Sequence, residues 1–249
     1  MKKLLVGITV SAICIFLLKM TVNPNVVDIE NAKKAIKAKN YKEAYTLLEP
    51  HAIKGNSTAQ TILGRMYIYE LYVKKDISKA LELLNKAASQ GDNNAMHSLG
   101  KIYMTEEYGR KDYLKAFNFL NKSLEDGNDY AQYSLAYLYA NGLGVEKNSK
   151  KAIELYLYEA EKGNVDAQYN LGLLYSDKKT LQNYKEAIKW YKKVASTGHS
   201  YAQYRLGLMY LEGKGVEKNK KISDKWLRKS IKGMNLSGAD YFNVMDRLN

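Results

Sequence analysis

Small and apolar residues recur along this chain with a period near 36. Ala59, Ala95, Ala131, Ala167 and Ala202 are separated by 36, 36, 36 and 35 residues. Four and five positions after each stand Leu63-Gly64, Leu99-Gly100, Leu135-Ala136, Leu171-Gly172 and Leu206-Gly207, followed in the same register by Tyr67, Tyr103, Tyr139, Tyr175 and Tyr210. Ala59, Leu63, Met66 and Tyr67 fall at i, i+4, i+7 and i+8, one face of a helix, so the spacing predicts a helix over 59–68. Gly64 marks the side on which a second helix approaches closely. After a short linker, Ala80, Leu83, Leu84 and Ala87 predict that second helix over 78–89, and Gly91 ends it in the left-handed conformation. The second-helix position recurs as Ala116, Ala152 and Ala187, with Ile222 as the exception, and the closing glycine as Gly127, Gly163, Gly198 and Gly233.

Two short antiparallel helices cannot bury enough surface alone, and stacking on neighbouring copies supplies the missing contacts. The expected fold is therefore an all-α, right-handed solenoid of five full helix-turn-helix repeats. A degenerate copy precedes them over 28–56, with Ala44, Leu48 and Gly55 in register, and its Pro50 is expected to kink or shorten its second helix. Residues 238–248 read as a C-terminal capping helix. The stretch Gly142-Leu143-Gly144-Val145 resembles a phosphate cradle, but it recurs at Gly213–Val216 and neither copy follows a strand pattern. It is a linker between helices.

These residues resemble the Sel1-like repeat family, a relative of the tetratricopeptide repeat. The family pattern is A-x-x-x-L-G-x-x-Y-x-x-G-x-G-V; residues 131–164 and 202–233 carry its G-x-G-V loop, and Trp190-Tyr191-Lys192-Lys193-Val194-Ala195 matches its second-helix signature. Repeats one, two and four lack G-x-G-V, which leaves the path of their linkers open. The resemblance spans about residues 28 to 237. Some relatives carry a β-lactamase label, which raises a cell-envelope enzyme as the alternative function. Those relatives have paired cysteines in each repeat, and here the only cysteine is Cys14. Ser98–Lys101 and Ser176–Lys179 match S-x-x-K at about chance frequency, with no S-D-N or K-T-G partner. His51, His97 and His199 lie in three different copies without metal-ligand spacing. The reading is not an enzyme, with no cofactor and no metal.

Charge adds a location and a partner chemistry. Lys2 and Lys3 precede the uncharged run Leu4–Leu18. Residues 1–22 are thus expected to be a signal peptide or an N-terminal membrane anchor, 23–27 a linker, and 28–249 the solenoid. This places the body in the periplasm, tethered to the inner membrane if the segment is uncleaved. Of 249 residues, 39 are Lys or Arg and 26 Asp or Glu, a net charge of +13. The cations are 34 Lys and 5 Arg, which weakens a nucleic-acid reading, and export argues against one too.

Two surfaces could bind a partner. First helices line the concave side of such solenoids. Two residues after each starting alanine lie Thr61, His97, Tyr133, Tyr169 and Tyr204; four further on lie Arg65, Lys101, Tyr137, Leu173 and Leu208. These two ladders form the candidate site for a protein or peptide, with tyrosine supplying rigid, amphipathic contact area. The competing reading makes the same tyrosines packing residues between helices. The other surface is a basic rim of Lys74-Lys75, Arg110-Lys111, Lys150-Lys151, Lys178-Lys179 and Lys220-Lys221, assigned to the linkers. The expected function is a non-catalytic binding module of the cell envelope. Its pointed form is an immunity protein that covers an acidic surface of a secreted toxin effector.

Overall fold

A computed structural model describes residues 24–178 and 182–233. The leader, Cys14, Lys179 and the expected capping helix over 238–248 lie outside the described residues. Those described form twelve α-helices and no strand: α1 Pro24–Lys37, α2 Tyr41–Ile53, α3 Ser57–Ile68, α4 Ile77–Ser89, α5 Asn93–Met104, α6 Tyr113–Glu125, α7 Ala131–Asn141, α8 Ser149–Glu161, α9 Val165–Ser176, α10 Tyr184–Ala195, α11 Ser200–Glu212 and α12 Lys220–Gly233. Two compact units divide them. One ends at Lys111 and also takes in 125–128; the other comprises 112–124 and the chain from Asp129.

In the first unit, Ile29, Ala32, Leu48, Ala52, Ala59, Leu63 and Met66 from α1, α2 and α3 make one core. Gly64 lets α3 settle onto α4, since a Cβ there would come within 2.8 Å of the Leu84 side chain. Pro50 sits inside α2 but does not shorten it: at 13 residues α2 equals α4. The proline faces solvent while Leu48, His51 and Ala52 on the same turn are buried, so packing outweighs one lost backbone bond.

The second unit is built on the same pairing. Ala187, Tyr191, Val194, Ala202 and Leu206 belong to one core, and Leu227 of α12 packs with Tyr204, Leu208 and Ile231. Here the register expected for the last repeat needs correction. Ser223, fully buried, takes the place of Ala187, and Leu227 follows four residues later, as Tyr191 follows Ala187. Ile222 is only partly buried. Serine is small enough for the position, but its polarity hid the match in the hydrophobic pattern.

One joint recurs between repeats. At the end of α8 the Gly163 N–H donates to Ala160 O and the Asn164 N–H to Glu159 O, with Gly163 at φ 95°. This double closure satisfies carbonyls that a helix end leaves free. Asn164 then turns its side chain to accept from the Ala167 N–H and so caps α9. Asn56 and Asp92 do the same for α3 and α5, and His199 caps α11 through Nδ1. Buried glutamines reinforce the joint: Gln168 donates to Ala160 O and Gln203 to Ala195 O in the second unit, and Gln60 to Ala52 O in the first.

The G-x-G-V linker works by close approach. Gly142 ends α7 in the left-handed region, and a Cβ on Gly144 would lie 2.1 Å from the Tyr113 carbonyl oxygen at the start of α6. Gly215 lies against Tyr184 of α10 in the same way. The first repeat lacks both glycines yet makes the same bonds. Leu71 N–H donates to Met66 O and Asp76 N–H to Tyr67 O, as Leu143 does to Leu138 O and Asn148 to Tyr139 O. Glu70 (φ 55°) and Tyr72 (φ 69°) stand where Gly142 and Gly144 stand. A side chain in that region is strained, so Glu70→Gly is expected to raise stability by about 0.5–1 kcal/mol. A urea melt that shows loss or no change would reject this.

Candidate functional site

Six of the ten candidate residues lie on first helices of the second unit. In α9, Ala167 and Leu171 point into the core at i and i+4, which turns Tyr169 and Leu173 toward the flank. The Tyr169 ring packs on Tyr191 of α10 (centroids 5.9 Å apart) and on the His199 ring (4.8 Å). Tyr133 of α7 meets Tyr156 of α8 edge-on at 5.5 Å, and its hydroxyl accepts a 3.2 Å bond from Asn170 Nδ2 of α9. Tyr204 and Leu208 of α11 pack on Leu227. These five are half-buried; Tyr137, at 39% exposure, projects furthest. Each half-buried tyrosine therefore packs on one side and still presents surface.

Burial raises the Tyr133 phenol above its ordinary range. Beneath Tyr169, Tyr191 is only 1% exposed, and burial pushes its phenol from 10.0 up to about 12 against the lowering effect of a 3.2 Å bond with Ser176 Oγ. A pKa raised on folding contributes stability that is complete below the unfolded value near 10 and is lost as pH rises through about 12. The protein is expected to lose stability progressively in that window, and Tyr191→Phe to flatten the pH dependence. An unchanged slope in Tyr191→Phe would remove this assignment.

The other four candidates belong to the first unit. Thr61 is 3% exposed and offers no surface to a partner, so it is no binding residue: it shares the register of Tyr133 and Tyr169, but its short side chain is covered. The Arg65 guanidinium donates to Ser98 Oγ (2.8 Å) and to the Asn94 carbonyl (3.1 Å), fastening α3 to α5, and burial holds its pKa below the usual value. His97 is half-buried and Lys101 is exposed.

The basic rim is partly reassigned. Lys151 opens α8 in an ion pair with Glu154, and Lys220 and Lys221 open α12, so these are helix residues rather than linker residues. In the first unit, Lys75 pairs with Glu107 and Lys111 with Glu106. Ser98 of the S-x-x-K match accepts from Arg65 and donates to Asn94 O. His51 is buried against Asp28 at 3.0 Å. Among the described residues no cluster of three His, Cys, Asp or Glu could hold a metal, and no helix is long and apolar enough to cross a membrane.

The sequence reading missed the partners that hold the tyrosines, Asn170 and His199, and the exposed Tyr130 and Tyr201 just before and after the starts of α7 and α11. The position before each starting alanine holds Thr58, Asn94, Tyr130, Asp166 and Tyr201, too varied to register as part of the repeat.

A Sel1 repeat model matches residues 57–92, 93–128, 129–164, 165–199 and 200–233, end to end. The chain belongs to the Sel1 repeat family. Its fold is accordingly the all-α Sel1 solenoid. Among solved structures it is similar to a Sel1 repeat protein from Oxalobacter formigenes, with 27% identity and a TM-score of 0.73 over 89% of this chain and 86% of that one. It is also similar to c5321, a protective antigen of uropathogenic Escherichia coli with the same repeat fold, at 36% identity and a TM-score of 0.63. That match covers 79% of this chain and 41% of c5321. An immunity protein of Pseudomonas aeruginosa, Pa5087, aligns more loosely, at 19% identity and a TM-score of 0.45 over 84% and 81%. No curated protein matches the chain.

Proposed function

We propose that this Sel1 repeat chain is a non-catalytic binding module of the bacterial cell envelope. Its body faces the periplasm, and it takes a protein or peptide on the first-helix flanks of α7, α9 and α11. The partner we propose is a secreted toxin effector with an acidic surface, which the repeat protein neutralises. The observation that carries the reading is the way the tyrosines are held. Tyr133 and Tyr169 are fixed by a second-helix ring on one side and, on the other, by Asn170 of the next first helix or by His199, which caps the next first helix, beside the exposed Tyr137. Aromatics already ordered in the free protein lose little entropy on binding. The net charge of +13 favours an acidic partner.

Capture from envelope extracts with tagged full-length protein tests this. Tyr137→Ala is expected to weaken retention of the partner about tenfold, as loss of an interfacial tyrosine worth 1–2 kcal/mol would, and to leave the melting temperature unchanged. Equal retention by the variant would move the binding surface elsewhere. Location is tested separately: alkaline phosphatase joined after Asn249 should be active and β-galactosidase inactive, and the reverse would end the periplasmic reading.

A further inference from the structure

The second helices differ sharply in charge. From the residues in each helix, α10 carries a formal +3 and α12 a formal +5, against −1, +1, +1 and −1 on α2, α4, α6 and α8. The cations occupy matching places. Lys185, Lys189, Lys192 and Lys193 of α10 recur 36 residues later as Lys221, Lys225, Arg228 and Lys229 of α12, all exposed. Lys185, Lys189 and Lys192 fall at i, i+4 and i+7, so they form one stripe along the helix, as do their counterparts on α12. The equivalent places in the third repeat hold Lys150, Glu154, Leu157 and Tyr158, and in the first Ser78, Glu82, Asn85 and Lys86. The stripe belongs to the last two repeats.

The fold uses only part of it: the Lys192 ammonium lies 5.6 Å over the Tyr210 ring of α11, while no ring contact holds Lys185, Lys221, Lys225 or Arg228 among the described residues. Like charges at i and i+4 destabilise a helix, and cations in the first turn, such as Lys185 and Lys221, oppose its dipole. Among the described residues, no carboxylate pairs with Lys185, Lys193, Lys221, Lys225, Arg228 or Lys232; the ion pairs are Lys189 with Glu186 and Lys220 with Asp224. Both tryptophans of the chain sit on these helices at corresponding positions, Trp190 under the ammonium groups of Lys189 and Lys193 and Trp226 under that of Lys229.

We propose that the outward faces of α10 and α12 are a cationic docking surface for an anionic phospholipid bilayer. Two features favour lipid over an acidic protein. The surface is lysine with a single arginine, and lysine acts as a point charge rather than a two-pronged reader of carboxylates. Also, none of the large exposed hydrophobic side chains lies on α10 or α12, so the face lacks the apolar anchor at which protein interfaces concentrate their energy. Attraction to anionic headgroups requires charge density alone.

Trp190, 7% exposed beneath Lys189 and Lys193, and the half-buried Trp226 beneath Lys229 are the only two tryptophans and report on this face from just below it. Full-length protein is reconstituted in phosphatidylcholine vesicles and in vesicles also containing phosphatidylglycerol, both doped with a headgroup spin label. The leader's apolar run is expected to keep the chain on either vesicle, so quenching of tryptophan emission, rather than association, is the readout. Quenching is expected to be roughly twofold or more stronger on the anionic vesicles, and to vanish at about 1 M salt, where the screening length is ~3 Å. The triple variant Lys225→Gln, Arg228→Gln, Lys229→Gln should lose it with an unchanged melt; should that variant not fold, Lys185→Gln with Lys189→Gln takes its place. Equal quenching on both vesicles, or quenching that survives salt, overturns the proposal. So does no quenching on either, an outcome that leaves an acidic protein as the occupant.

Discussion

Replacing Gly144 with alanine should cost about 3–4 kcal/mol, a large loss for one added methyl group. Two effects combine. The added Cβ would sit 2.1 Å from the Tyr113 carbonyl oxygen and 2.6 Å from the Leu114 nitrogen. Both are backbone atoms in the first turn of α6, which cannot swing aside as a side chain can. Overpacking of this kind costs typically 1–3 kcal/mol, and a non-glycine residue at positive φ adds about 1–2. Gly163→Ala is the internal comparison. It has a similar sign of φ, 95°, but nothing within 4 Å of the added carbon, so only the conformational part remains, about 1 kcal/mol. Urea melts of the two variants side by side decide the matter. If Gly144→Ala proves no worse than Gly163→Ala, the linker does not rest on α6 as described.

Tyr191→Ala should lose roughly 3–5 kcal/mol, the cost of emptying a large aromatic site. Its ring fills the space over Gly172, where a Cβ would come within 2.5 Å of Cε1. The same ring supports Tyr169, and its hydroxyl bonds Ser176. Tyr191→Phe keeps the ring and gives up the hydroxyl contact, for about 1 kcal/mol. The two losses should therefore separate cleanly in thermal melts. Equal losses would mean that the hydroxyl, not the ring, supports the site.

This prediction also marks where the sequence misleads. The repeated Tyr139 and Tyr175 look like core because they share a helical face with Leu135 and Leu171. They are only partly buried, whereas Tyr191 and Tyr156, in second helices, are 1% exposed. Tyr175 packs on the core of α10 and α11 and Tyr139 meets Phe117 edge-on, while Tyr67 in the same register is buried; periodicity reports the direction of Cβ and not how far the ring is covered. The repeat itself was legible because Ala, Leu and Gly at fixed spacing are direct consequences of close helix contact. The closing glycines are legible for a similar reason: Gly91, Gly127, Gly163 and Gly198 all adopt positive φ, but Gly233 does not close its repeat this way, being the helical last residue of α12.

What sequence could not supply was the choice between alternative partners for the same residue. Arg65 was placed on a binding ladder by its register, yet it is spent on Ser98 and Asn94 of the next first helix. Thr61 shares the register of Tyr133, but a small side chain there is covered. Glu70 and Tyr72 show the converse: the linker path is kept where the glycines that announce it elsewhere are missing, because its backbone bonds are the same. The cationic stripe on α10 and α12 shows only once the helices are in place, since its members are three and four residues apart in sequence.

The first-helix flank of the second unit is where the proposed partner must bind. A photoreactive phenylalanine analogue at Tyr137, installed in the full-length protein and activated in intact cells, tests it most directly. The predicted result is one discrete protein adduct at Tyr137 and none with the same analogue at Ile53, which is 80% exposed on α2 in the other unit. No adduct at Tyr137, or adducts of the same mass from both positions, would contradict it.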